Sequence, residues 1–251
     1  MIRGDRGATK PAPPTVWLHG WGMSSAIWRS VPVAMQAHAV RLDLPGHGGH
    51  PWKDELGSDL TRWAEEVLGR APQHAVWVGW SLGGLLAMEV ARIAPERVEA
   101  LVLIGATPRF VAKGDGGCGM RPDIFARFEA GLLQDPVLTM QRFIALQVVG
   151  AEDARRTRRW LAASVADAPA ECAALKAGLE ILRDADMCAG LGGVKRPAKV
   201  ILGGRDQIVP PCVEGLYRAC MPDAQVTVLA GAGHMPFLQA PDRVGEWVES
   251  W

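Results

Sequence analysis

The chain has 251 residues, 49% of them hydrophobic and 22% charged, and its 27 basic residues balance 27 acidic ones. A globular protein of this size buries a core without staples, and a formal charge of zero points away from nucleic acid or an anionic membrane as partner. No run approaches the ~20 apolar residues of a spanning helix. Residues 1–14, with Arg3, Asp5, Arg6 and Lys10, lack the apolar stretch of a signal peptide. The scattered Cys118, Cys172, Cys188, Cys212 and Cys220 have no CxxC spacing. They read as reduced thiols, against both a zinc site and a disulfide framework. A cytoplasmic monomer without metal or cofactor is expected.

In chain order, Thr15-Val16-Trp17-Leu18 reads as a buried strand and 39–43 as a second. A helical stretch over 58–70 leads to a strand at 75–79, a helix at 82–94 and a strand at 100–104. From about 119 to 191 the alternation stops, and only helical segments rich in Ala, Leu and Arg remain. The glycine-rich 114–119 reads as a flexible connection into that block. Strands at 198–202 and 225–229 and helices at 213–220 and 241–251 complete the pattern. Short apolar strands separated by helices predict an α/β fold, with a mostly parallel central sheet covered on both faces. We expect one domain over 1–251, with a helical cap at about 119–191 above the sheet edge where such folds bind ligands.

The chemistry gathers at three loops. Gly79-Trp80-Ser81-Leu82-Gly83 follows a strand and opens a helix, which exposes a serine hydroxyl on a tight turn above the sheet. The glycines allow the turn, and the helix N-terminus faces developing negative charge. A serine needs a base. His234, in Gly231-Ala232-Gly233-His234-Met235-Pro236-Phe237, follows the last strand, and Asp206, in Gly203-Gly204-Arg205-Asp206, follows the one before. The order Ser81, Asp206, His234 is that of the α/β-hydrolase triad. Asp184 and Asp186 are competing acids, but they fall in the helical block. His19-Gly20-Trp21-Gly22 follows the first strand and is placed to add the Trp21 N–H to that of Leu82 as an oxyanion hole. His19, Asp43 and His47 read as structural groups of their turns.

Trp17 and Trp77 read as core. Trp21 and Trp80, at the turns beside the nucleophile, read as walls of an apolar acyl pocket. In the helical block, Arg142, Arg155, Arg156, Arg158 and Arg159 outweigh Glu152 and Asp153 to give a net +3 in a neutral chain. Arg155 shares a helix face with Arg158 and Arg159. Two readings stand for it: a solvated face, or a surface that receives an anionic group such as phosphate.

These residues resemble the pimeloyl-[acyl-carrier protein] methyl ester esterase family of biotin synthesis, within the α/β-hydrolase superfamily. The superfamily signals are His19-Gly20-Trp21-Gly22, Asp43-Leu44-Pro45-Gly46, Asp206 and Gly233-His234. More specific are Gly79-Trp80-Ser81-Leu82-Gly83-Gly84, Pro95-Glu96-Arg97-Val98, Arg142-Phe143-Ile144-Ala145-Leu146-Gln147 and Gly178-Leu179-Glu180-Ile181-Leu182. The resemblance implies an α/β-hydrolase fold and hydrolysis of the methyl ester on a carrier-bound pimeloyl chain. It implies that Trp21, Ser81, Leu82 and Phe143 line the site, and that Arg142, Arg155 and Arg159 meet the acyl-carrier protein. Arg109 and the glycine-rich stretch before Met120 depart from the family pattern. Outside that family, a short-chain carboxylesterase, a carbon–carbon bond hydrolase acting on a dienoate, and a non-catalytic ligand-binding relative are the alternatives.

Overall fold

The computed structural model describes residues 12–32, 38–114 and 117–249. Residues 1–11, 33–37, 115–116 and 250–251, which take in most of the N-terminal stretch, the middle of the glycine-rich connection and the end of the last helix expected from sequence, lie outside the described residues. Six parallel strands are described: β1 (Thr15–Leu18), β2 (Ala39–Leu42), β3 (Ala75–Trp80), β4 (Val98–Ile104), β5 (Ala198–Gly203) and β6 (Gln225–Leu229). They lie in the order β2-β1-β3-β4-β5-β6. The chain steps one way from β1 to β2, then crosses to β3 on the other side. That reversal opens a crevice at the C-terminal ends of β1 and β3, where doubly wound sheets place ligands.

Helices α1 (Leu60–Gly69) and α2 (Leu82–Ile93) follow β2 and β3. Helix α1 begins two residues later than its apolar pattern suggests, because the Asp59 carboxylate caps it, accepting from the N–H groups of Thr61 (2.9 Å) and Arg62 (3.1 Å). Residues 82–91 of α2 are all buried, so this helix lies inside the molecule rather than on it. Between β4 and β5 stand α3 (Pro122–Gln134), α4 (Pro136–Gln147), α5 (Ala154–Asp167) and α6 (Cys172–Asp184). Proline in the first turn starts α3 and α4. Asp135 and Asp153 cap α4 and α5 through the N–H groups of Leu138 (2.9 Å) and Arg156 (3.0 Å). After β5 come α7 (Glu214–Cys220), α8 (Pro236–Gln239) and α9 (Pro241–Glu249). No helix among the described residues is long and apolar enough to cross a membrane.

The cysteines depart from expectation. Cys118 and Cys212, 94 residues apart in sequence, form a disulfide with Cα atoms 5.8 Å apart, while Cys172, Cys188 and Cys220 are free. The reading of five reduced thiols is thereby corrected: the fold brings together two loops whose spacing in sequence carries no pairing signal. The glycine-rich connection is also more tied than it reads. Met120 exchanges backbone hydrogen bonds with Phe110 (2.8 Å) and Ala112 (2.9 Å), and Cys118 is bonded to the body of the protein.

Candidate active site

Ser81 stands where β3 turns into α2, at φ 55° and ψ −120°. A non-glycine residue in that region stores about 1–3 kcal/mol, a strain characteristic of functional turns. Its surroundings enforce it. A Cβ on Gly79 would strike the backbone of Gly83 and Gly84, and one on Gly83 would strike the Leu18 carbonyl. The two glycines therefore let α2 start directly against β1 and β3. Ser81 N–H is held by Ile104 O (3.0 Å). The Leu82 and Trp21 N–H groups form no hydrogen bond among the described residues.

His234 and Asp206 are brought together across two strand ends. Nδ1 of His234 donates to Oδ2 of Asp206 at 2.7 Å, with both side chains buried. The other carboxylate oxygen of Asp206 accepts from the N–H groups of Ile208 (2.8 Å) and Val209 (2.9 Å). The carboxylate is thus fixed from two sides and sets the imidazole tautomer, leaving Nε2 as acceptor. That Nε2 is buried and has no hydrogen-bond partner among the described residues, Ser81 included. Serine–histidine contacts of unliganded sites commonly tighten only around substrate. Gly105, at φ +51°, makes room here, since a Cβ would lie 3.0 Å from His234 O. Asp184 and Asp186 are engaged elsewhere, with Arg183 and with Arg109 and Lys113.

A narrow cavity of about 50 Å³ opens on Ser81, with walls that are almost wholly apolar. Trp21 and Phe143 line it, their rings edge to face at 5.1 Å. Trp21 is fixed by its indole N–H, which donates to Leu175 O (2.8 Å). Gly178 allows the close approach of α6, since a Cβ there would lie 2.9 Å from the Trp21 ring. Phe110, Phe125, Phe128, Leu179, Leu182 and Ile208 complete most of the wall, and the sequence marks none of them as such, naming Leu179 and Leu182 only within a motif. Their signal is only apolar spacing on helices, which does not tell a cavity face from a core face.

Two expectations need correction. Trp80 is not a wall. It is 1% exposed, set edge to face against Phe237 (5.3 Å) and tilted against the His234 ring (5.5 Å), and its indole N–H donates to His234 O (2.8 Å). As the last residue of β3 it points under the crevice, and it buttresses the histidine loop. The Leu82 side chain is likewise fully buried, so this residue reaches the crevice through its backbone alone.

His19 and His47 hold the loops around the crevice. Each ring accepts a backbone N–H through Nε2, from Leu44 (3.0 Å) and Gly22 (3.2 Å) respectively, and offers Nδ1 to a carbonyl, Gly20 O and Pro45 O, both at 2.8 Å. Burial pushes His19 down to about 4 and, together with the neighbouring His19, pushes His47 down to about 3. Both are neutral, so the 3.8 Å approach of His19 to Asp43 is not an ion pair. A free imidazole near 6.5 takes up its proton before the folded one does. Stability from these groups is therefore complete above about pH 6.5 and is lost as pH falls toward their folded values. For His19 the loss approaches about 3 kcal/mol. Urea midpoints measured from pH 7 to 4 should fall, and His19→Asn should flatten the decline. A decline of unchanged slope in the variant would assign it to other groups.

A strained serine on a strand–turn–helix elbow beneath a helical cap is the arrangement of serine hydrolases built on α/β sheets. The chain belongs to the α/β hydrolase family, matching its profile over residues 15–247. It is 40% identical over 229 residues to the pimeloyl-[acyl-carrier protein] methyl ester esterase of Citrobacter koseri, covering 90% of this chain and 88% of that protein. It is 39% identical over 238 residues to the protein of the same name from Yersinia enterocolitica, covering 93% and 90%. Among solved structures it superposes on an esterase from Exiguobacterium antarcticum with a TM-score of 0.83 at 22% identity, covering 95% and 92%. This last likeness speaks for the fold alone.

Proposed function

We propose that this protein is a pimeloyl-[acyl-carrier protein] methyl ester esterase of biotin synthesis, acting in the cytoplasm as a monomer. The observation that carries the reading is identity of 38–40% with relatives of that name over 90–94% of the chain, a span that includes the cap as well as the sheet. The chemistry follows from the residues. Ser81 Oγ attacks the methyl ester carbonyl while His234 Nε2 takes its proton, and Asp206 steadies the imidazolium. The N–H groups of Trp21 and Leu82 receive the oxyanion. His234 returns the proton to the departing methoxide, so methanol leaves and an acyl-Ser81 ester remains. Water, activated by the same imidazole, then releases the free carboxylate. No cofactor enters any step.

The apolar character of the cavity walls suits a methylene chain, and the cap suits its carrier. Arg142 on α4 and Arg155 and Arg159 on α5 are exposed, and none of them forms an ion pair among the described residues. They are free to meet an acidic carrier protein and the phosphate of its prosthetic arm. Replacing all three by alanine should lower kcat/KM for the carrier-bound methyl ester about tenfold or more while sparing p-nitrophenyl butyrate, and added salt should narrow the wild-type preference. Equal losses on both substrates would make these arginines mere supports of the cap. A wild-type enzyme that ignored the carrier-bound ester would overturn the functional reading itself.

A further inference from the structure

Cysteine chemistry outside the crevice is concentrated at the two hinges of the cap. Cys118, in the first hinge, lies two residues before Met120, and Cys212 lies four residues after Ile208; Met120 and Ile208 both face the cavity. The disulfide therefore ties the cap side of the cavity to the sheet side. In the second hinge, Cys188 neighbours Cys220, the last residue of α7. Both hinges thus meet one short segment, 211–220, through a pair of cysteines.

The cavity between these ties is contracted. Its volume of about 50 Å³ is far below the ~300 Å³ at which small-molecule sites begin. A chain of several methylenes cannot enter until its walls part. We propose that the Cys118–Cys212 disulfide is a thiol-responsive latch: closed, it holds the cap over a contracted cavity, and opened by reduction it admits longer acyl chains. Cys212 is exposed, so a small thiol can reach the bond, and accessible disulfides are the labile ones. Disulfides in reducing compartments are commonly of this transient, sensing kind.

The chemistry is exchange with a low-molecular-weight thiol. Its thiolate attacks one sulfur of the disulfide, a mixed disulfide forms, and the other cysteine leaves as a thiolate that takes a proton. A second thiol displaces the mixed disulfide, so two cysteine thiols appear and the external thiol is oxidised to its disulfide. Cys220 is a poor competitor in this exchange, because burial and the neighbouring Cys188 push its thiol up to about 12.

The inference rests on the serine-esterase reading and not on the carrier protein. Its test is the ratio of kcat/KM for p-nitrophenyl octanoate to that for p-nitrophenyl acetate, before and after treatment with dithiothreitol. This ratio does not depend on how much of the enzyme is folded. Alkylation and mass spectrometry should count the three free thiols of the oxidised protein and two more after reduction. The ratio should rise roughly tenfold on reduction, as burial of about two further methylenes would give. Cys118→Ser and Cys212→Ser should each show the high ratio without reductant, and Cys172→Ser should behave as wild type. A ratio that stayed level or fell while the thiol count rose would overturn the latch, as would five free thiols at the outset. Failure to hydrolyse either ester in either state would instead indict the serine-esterase reading.

Discussion

Replacing Ser81 by alanine is expected to lower kcat by about 10³-fold or more, replacing His234 to do the same, and replacing both to cost little beyond either alone. The reason is that the two act on one proton. Without the serine there is nothing for the imidazole to deprotonate, and without the imidazole the hydroxyl is a weak nucleophile. Asp206→Asn should be nearly as severe, because its amide can donate to His234 Nδ1 and so stabilise the tautomer whose Nε2 carries the proton. The acid side of the kcat/KM profile supplies a second readout, since a base must be neutral to work. His19 and His47, pushed down to about 4 and about 3, can contribute no acid limb near neutrality. A limb there that survived in the residual activity of the His234 variant would reject the assignment, and so would multiplicative losses in the double variant.

Much of this site is legible because the chemistry is tied to backbone requirements. The glycines around Ser81 mark a turn that no side chain fits, and Asp206 and His234 each follow an apolar strand run. Chain order and strand ends therefore locate three residues that are far apart in sequence. The strand pattern is equally plain at the centre of the sheet, where β1, β3 and β4 are buried almost throughout and their runs are largely apolar. What stays hidden depends on long-range packing. Phe125, Phe128, Leu179 and Leu182 sit at helical spacing, which fixes a face but not whether it meets a core or a cavity. The Cys118–Cys212 pairing joins loops 94 residues apart, and nothing local to either cysteine announces the other.

Trp80 shows how adjacency in sequence misleads, and correcting its place reverses the effect expected of its removal. Next to Ser81, it reads as a wall of the pocket, so that Trp80→Ala would flatten the dependence of rate on acyl length. In the structure the indole lies beneath the crevice against Phe237 and the His234 ring, and its N–H holds the His234 carbonyl at 2.8 Å. Truncation there leaves a large void and is expected to cost about 3–5 kcal/mol of stability. It should lower turnover of acetate and octanoate esters by the same factor, because it displaces the base rather than the acyl chain. Trp80→Phe keeps an aromatic ring in place and loses the hydrogen bond with only part of the packing. It should fold well, lose about 1 kcal/mol of stability and again leave the chain-length profile in place. Phe143→Ala, which removes an actual wall, should change that profile instead. Chemical denaturation together with a series of p-nitrophenyl esters separates the two outcomes. A Trp80→Ala enzyme of near-normal stability with a flattened profile would return the residue to the pocket wall.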